Sequence, residues 1–194
     1  AVNYSITVNP KPANVLPLSQ SFCAGASVPA TSLSSTPAGA SFSWTNSNTS
    51  IGLAASGSGS LPSFTALNSS SALATATISI LPTLNGCVGN SGSYTIDVNP
   101  VATVNVPLNT QVCEGLPVSL AGFTSVPSGA SFAWTNSNTA IGLATSGNSN
   151  LPVFSSSNGT LNPITAMIAV SPTYNGCSGI ASNFSITVNP TPSV

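Results

Sequence analysis

The stretch Ser41-Phe42-Ser43-Trp44-Thr45-Asn46-Ser47-Asn48-Thr49-Ser50-Ile51-Gly52-Leu53 returns 90 positions later as Ser131-Phe132-Ala133-Trp134-Thr135-Asn136-Ser137-Asn138-Thr139-Ala140-Ile141-Gly142-Leu143. Phe42 and Trp44 alternate with Ser41, Ser43 and Thr45, the period of two expected of a strand with one buried face. Cys23 and Cys87 recur at the same spacing as Cys113 and Cys177, and an ungapped alignment of residues 11–100 with 101–190 gives identity at 40 of 90 positions. The sequence therefore predicts two domains of about 90 residues, 11–100 and 101–190, each of ordinary domain size.

Around the block the same alternation recurs. Ala74, Ala76, Ile78 and Ile80 alternate with Thr75, Thr77 and Ser79, and the second copy keeps the apolar set as Ile164, Ala166, Ile168 and Val170. Tyr94, Ile96 and Val98 alternate with Thr95, Asp97 and Asn99. Turn residues separate these runs: Pro37-Ala38-Gly39, a Gly-Ser turn over Ser56-Gly57-Ser58-Gly59, and Leu84-Asn85-Gly86. Asn-Gly at 85–86 and at 175–176 is a strong turn signal, since both residues tolerate positive φ. No helical period appears. Short strands around one central Trp predict an all-β chain of tandem immunoglobulin-like β-sandwiches.

The last strand of the repeat occurs a third time. Tyr4-Ser5-Ile6-Thr7-Val8-Asn9-Pro10 precedes Tyr94 to Pro100 and Phe184 to Pro190 at the same 90-residue spacing. Residues 1–10 are expected to finish a preceding repeat, and residues 191–194 to begin a following one or a linker. The rival expectation is that Tyr4, Ile6 and Val8 form a strand donated to a neighbouring subunit.

Charge excludes several functions. One Lys, no Arg, no His and two acids leave 2% charged side chains beside 41% hydrophobic ones, against about 25% charged in ordinary proteins. Lys11 alone cannot displace counterions from phosphates, so nucleic acid is not an expected partner. Mean hydropathy of +0.37 argues against disorder. No apolar run reaches the roughly 18 residues of a membrane span, and no leader-like basic and apolar start is present. Ser, Thr and Asn number 36, 21 and 20 and give the chain a neutral hydroxyl and amide surface. Such weak net charge leaves little repulsion between copies, so end-to-end or lateral self-packing, or a sugar coat, is expected.

Catalysis is not expected. Asp97 and Glu114 lie in different repeats, and neither recurs: their counterparts are Thr187 and Ala24. No base stands ready to activate a Ser, Gly57 and Gly59 are not followed by a phosphate-binding Lys, and no ligand set for a metal exists; no cofactor is predicted. The polar loop after each Trp is the best candidate for recognition, through Asn46, Asn48 and Thr49 and their copies Asn136, Asn138 and Thr139. Such a loop, spanning Trp44 to Leu53 and Trp134 to Leu143, could hold surface glycans if the Trp were exposed. The competing expectation is a buried Trp and a loop closed on its own backbone. Five Asn-x-Ser/Thr sequons, at Asn3, Asn48, Asn68, Asn158 and Asn183, are expected by chance in this composition.

Four cysteines allow three pairings. The repeat selects Cys23 with Cys87 and Cys113 with Cys177, each closing an equivalent loop worth about 4 kcal/mol. Because Cys87 follows the Asn85-Gly86 turn, the bridge is expected to tie loops at one end of the sandwich. Oxidised pairs place the chain outside the cytoplasm.

Taken together, Cys23-x-Gly25, Phe42-x-Trp44-Thr45-Asn46-Ser47-Asn48-Thr49-x-Ile51-Gly52-Leu53, the Ser-Gly turn, Leu61-Pro62-x-Phe64, Pro82-Thr83-x-Asn85-Gly86-Cys87 and Ile96-x-Val98-Asn99-Pro100 resemble the PKD-like repeats of very large secreted proteins of Bacteroidota. The resemblance covers both repeats and the N-terminal copy of the last strand. It implies tandem immunoglobulin-like sandwiches on the cell surface, exported by type IX secretion and serving adhesion, filaments or gliding. Trp44-Thr45-Asn46-Ser47-Asn48 lacks the two Asp residues of the polycystic-kidney-disease domain proper, so the acid-dependent cation site of that wider group is not expected to carry over. The function expected is a non-catalytic structural repeat of an extracellular filament, stalk or giant adhesin, with the glycan-binding loop as the alternative.

Overall fold

The structure, a computed structural model, describes residues 2–192. The chain divides into two compact units, Ala1–Pro100 and Val101–Val194. The first contains β1 (Ala13–Val15), β2 (Gln20–Cys23), β3 (Ser27–Val28), β4 (Ser34–Thr36), β5 (Ser41–Asn46), β6 (Ser56–Ser58), β7 (Phe64–Thr65), β8 (Ala74–Leu84), β9 (Cys87–Val88) and β10 (Gly92–Asn99). The second repeats the series as β11 (Thr103–Asn105), β12 (Thr110–Cys113), β13 (Pro117–Val118), β14 (Thr124–Val126), β15 (Ser131–Asn136), β16 (Ser146–Asn148), β17 (Phe154–Ser155), β18 (Ile164–Tyr174), β19 (Cys177–Ser178) and β20 (Ser182–Asn189).

In each unit one sheet dominates. Its order is β2-β10-β8-β5-β6 in the first and β12-β20-β18-β15-β16 in the second, with β9 and β19 added to the far ends of β8 and β18. The outer pair β2–β10 is parallel and the remaining pairs are antiparallel. Against this sheet lie the short pairs β1–β4 and β3–β7 with an isolated bridge from Thr31 to Leu61, completing the sandwich.

The alternation read from the sequence becomes the core. Ala76, Ile78 and Ile80 on β8 and Ile96 and Val98 on β10 are buried with Trp44, Ile51, Leu53 and Leu61. Ala166, Ile168, Val170, Ile186 and Val188 pack the same way around Trp134 in the second unit. Asn85 at φ 48° and Gly86 at φ 82° form the tight turn into β9, and Asn175 and Gly176 repeat it.

Two expectations need correction. Gly57 belongs to strand β6 rather than to a turn, paired with Trp44. A β-carbon at Gly57 or at Gly147 would collide with the indole ring of Trp44 or Trp134, so glycine lets the edge strand close over the Trp.

The expected bridges Cys23–Cys87 and Cys113–Cys177 are not formed: Cys87 and Cys113 are free thiols, while Cys23 and Cys177 are disulfide-bonded. Strand register gives the reason. Cys23 lies opposite Asn99, level with the start of β8 where Ala74 faces Val98. Cys87 lies opposite Leu84 at the other end of β8. Eleven residues of strand separate these levels, about 33 Å at 3.3 Å per residue, whereas a disulfide needs Cα atoms within about 7 Å. Each repeat thus carries one cysteine at each pole.

Candidate functional site

The loop after each Trp is built from the inside. Trp44 and Trp134 are each 3% exposed, so neither offers a face to a sugar ring. Asn46 is buried; its amide donates to the Leu53 carbonyl at 3.0 Å, and its Oδ1 accepts from the Asn48 backbone N–H at 2.9 Å. Asn48 caps the short 3-10 turn Thr49–Ile51, its Oδ1 accepting from Ser50 N–H, while its amide donates to the Thr75 carbonyl. Gly52 closes the turn at φ 96°, a left-handed position that favours glycine. Asn136 and Asn138 repeat the arrangement with Leu143, Ala140 and Thr165. These asparagines hold the loop, and Thr49 and Thr139 begin the turn that they cap.

Three of the sequons have a structural purpose that composition did not reveal. Asn48, Asn68 and Asn158 each accept, through Oδ1, from both the backbone N–H and the hydroxyl of the residue two positions on: Ser50, Ser70 and Thr160. Asn68 and Asn158 also donate to the carbonyls of Val98 and Val188, fixing the loop before β8 and β18 to the last strand. The Asn-x-Ser/Thr pattern at these positions is a turn motif.

The three charged side chains are held locally. Lys11 Nζ donates to Asn90 Oδ1 at 2.7 Å. Asp97 accepts from the Thr75 hydroxyl at 2.6 Å, and its counterpart Thr187 meets Thr165 at 2.9 Å in the same cross-strand pair. Glu114 Oε1 accepts from Asn158 N–H at 3.3 Å. Asp97 and Thr187 thus make the same cross-strand bond in the two copies, so this position supports strand pairing in both. Among the described residues no group of three His, Cys, Asp or Glu side chains is placed to hold a metal, and no helix is long and apolar enough to cross a membrane.

Two features remain outside the loops. Tyr4, Ile6 and Val8 project into solvent, 88%, 88% and 86% exposed, from a segment without strand structure. The cysteines mark the poles. At the pole where the chain enters the first repeat, the Cys87 thiol points at the Asn9 carbonyl, 3.9 Å away. At the pole where it leaves, Cys23 ends β2 beside Asn99, the last residue of β10. The second repeat places Cys177 and Cys113 at its equivalent entry and exit poles.

This geometry defines an all-β sandwich protein whose polar residues are spent on turns and strand pairing. Residues 20–102, which lie in the first repeat and its junction with the second, match the PKD-like domain. A comparison with curated protein sequences finds no match. Among solved structures, the chain is similar to human CDH23 EC21–23, at 11% identity over 94% of this chain and 70% of that one, with a TM-score of 0.50. It also aligns with the human mucin-like protocadherin EC1–2, at 10% identity over 94% of this chain and 98% of the other, with a TM-score of 0.46. The first of these likenesses supports the fold, a β-sandwich of short strands.

Proposed function

We propose that this chain is a non-catalytic structural segment of an extracellular filament, stalk or giant adhesin, in which sandwiches follow one another as a surface-displayed array. The observation that carries the reading is the re-use of one sandwich with its chemistry-bearing side chains committed to shape: both Trp in the core, the loop asparagines in caps, Asp97 in a cross-strand pair exchangeable for Thr187. Neutral surfaces with almost no net charge favour packing against further copies. In such an array Tyr4, Ile6 and Val8 are the last strand of a preceding repeat or a strand given to a neighbouring subunit. The family resemblance adds a bacterial cell surface, type IX export in Bacteroidota and a part in adhesion or gliding. Glycan binding by the Trp44–Leu53 loop gains no support from a buried indole and an internally bonded loop.

Negative-stain imaging of the native surface material tests the proposal. Rods or filaments decorated along their length by antibody to this chain are the expected result; isolated globular particles carrying the same label would overturn it.

A further inference from the structure

We propose that Cys87 and Cys113 are halves of disulfides to flanking repeats of the same kind: Cys87 pairs with the exit-pole cysteine of a repeat before it, and Cys113 with the entry-pole cysteine of a repeat after it. The inference rests on the array reading above. Its first support is the state of the counterparts. Cys87 corresponds to Cys177 and Cys113 to Cys23, and both counterparts are disulfide-bonded while Cys87 and Cys113 are free. Both positions therefore take a sulfur partner wherever the chain supplies one.

The second support comes from register. Asn9 stands in the repeat where Asn99 stands 90 residues later. Asn99 is the strand partner of Cys23. A repeat ending in residues 4–10 would consequently hold its own exit cysteine beside Asn9, and the Cys87 thiol is aimed at the Asn9 carbonyl. Pairing within a repeat is closed off by the length of β8.

The partner is thus a thiol at the pole of a flanking repeat of the same kind, belonging either to the same polypeptide or to a second copy docked head to tail. Formation of each bond joins two thiols, releases two protons and passes two electrons to a disulfide oxidant. With oxidised glutathione the exchange runs through a mixed disulfide and leaves two reduced glutathione molecules. One covalent staple per junction would make the array resist unfolding one repeat at a time under tension.

The test incubates the purified chain in a glutathione redox buffer, quenches with an alkylating agent, and maps linked peptides after pepsin digestion. The expected result is a non-reducing ladder in steps of 19.1 kDa, with Cys87–Cys113 linkages dominating over Cys87–Cys87 and Cys113–Cys113. Cys87→Ser abolishes the ladder while the far-ultraviolet circular dichroism stays unchanged. Monomers with both thiols still open to alkylation, equal amounts of all three linkages, or conversion to a Cys23–Cys87 bond would overturn the proposal. The same mapping on native material separates the sources: reduction that releases short chains identifies second copies, and reduction that leaves the chain length unchanged identifies one polypeptide. Filaments whose cysteines at both positions are free would sink the staple and leave the array standing, whereas unassembled particles would sink the array itself.

Discussion

The same seven-residue strand occurs three times in this chain with two opposite fates. Tyr94, Ile96 and Val98 are buried between β2 and β8, and Phe184, Ile186 and Val188 are buried between β12 and β18. Tyr4, Ile6 and Val8 carry almost the same side chains and lie bare in solvent. Local alternation is equal in all three, so propensity does not decide the outcome. What differs is the partner surface: a strand on each side and an apolar layer beneath. Residues 4–10 have the sequence of a buried strand and lack the sandwich that would bury it.

The sharpest way to break this comparison is to place a carboxylate at equivalent positions. Ile96→Asp and Ile186→Asp bury an unpaired charge at 1% and 0% exposure and should each cost about 4 kcal/mol or more, enough to unfold the affected repeat. Ile6→Asp should leave the urea midpoint of the isolated chain unchanged. Equal losses at all three sites would show that the N-terminal copy is packed as its counterparts are.

A smaller effect is expected at Gly57 and Gly147. Their substitution by Ala pushes a methyl group into the Trp44 or Trp134 ring and should cost about 1–3 kcal/mol by overpacking, read by thermal melting. Ala at Gly86 of the hairpin turn meets no neighbour, so any loss there comes from its positive φ alone.

Asn68→Ala and Asn158→Ala remove the amides that tie a loop to the last strand, with an expected loss of about 1–3 kcal/mol each. Asn3→Ala, the sequon on the exposed copy, should change nothing. A host that glycosylates Asn68 would have to give up one of its amide bonds to Ala72 or Val98.

The smallest difference is one of pH. Burial pushes the Tyr94 phenol above its ordinary pKa, and the second repeat has Phe184 in its place. The unfolded chain releases the phenolic proton first, so the stability of the first repeat holds below about pH 10 and falls as pH rises through that value. Tyr94→Phe should remove the fall, with circular dichroism against urea at pH 8 and pH 11 as the readout.

Much of the sandwich is legible in the sequence because its signals are local. Ala76, Ile78 and Ile80 declare their inward face, Asn85-Gly86 declares its turn, and the recurring Trp marks each core. The cysteines are different. Repeat symmetry groups Cys23 with Cys87, yet symmetry carries no distance, and only the full length of β8 to Leu84 places them at opposite poles. The alternation quoted for that strand runs only from Ala74 to Ile80, whereas the strand itself continues to Leu84 and so carries Cys87 further from Cys23. Gly57 is misread for a related reason: glycine beside serine signals a turn, and its packing beneath a Trp from a neighbouring strand is a tertiary fact. Asn68 and Asn158 look like chance sequons until their bonds to the last strand are seen.

The most direct test of the array is to trace the native assembly by cryo-electron microscopy at a resolution that shows chain connectivity. The account predicts Tyr4 to Asn9 as a strand within a sandwich other than that of residues 11–100, lying between strands equivalent to β2 and β8. Finding the segment hydrogen-bonded into the sandwich of its own residues 11–100 would contradict it.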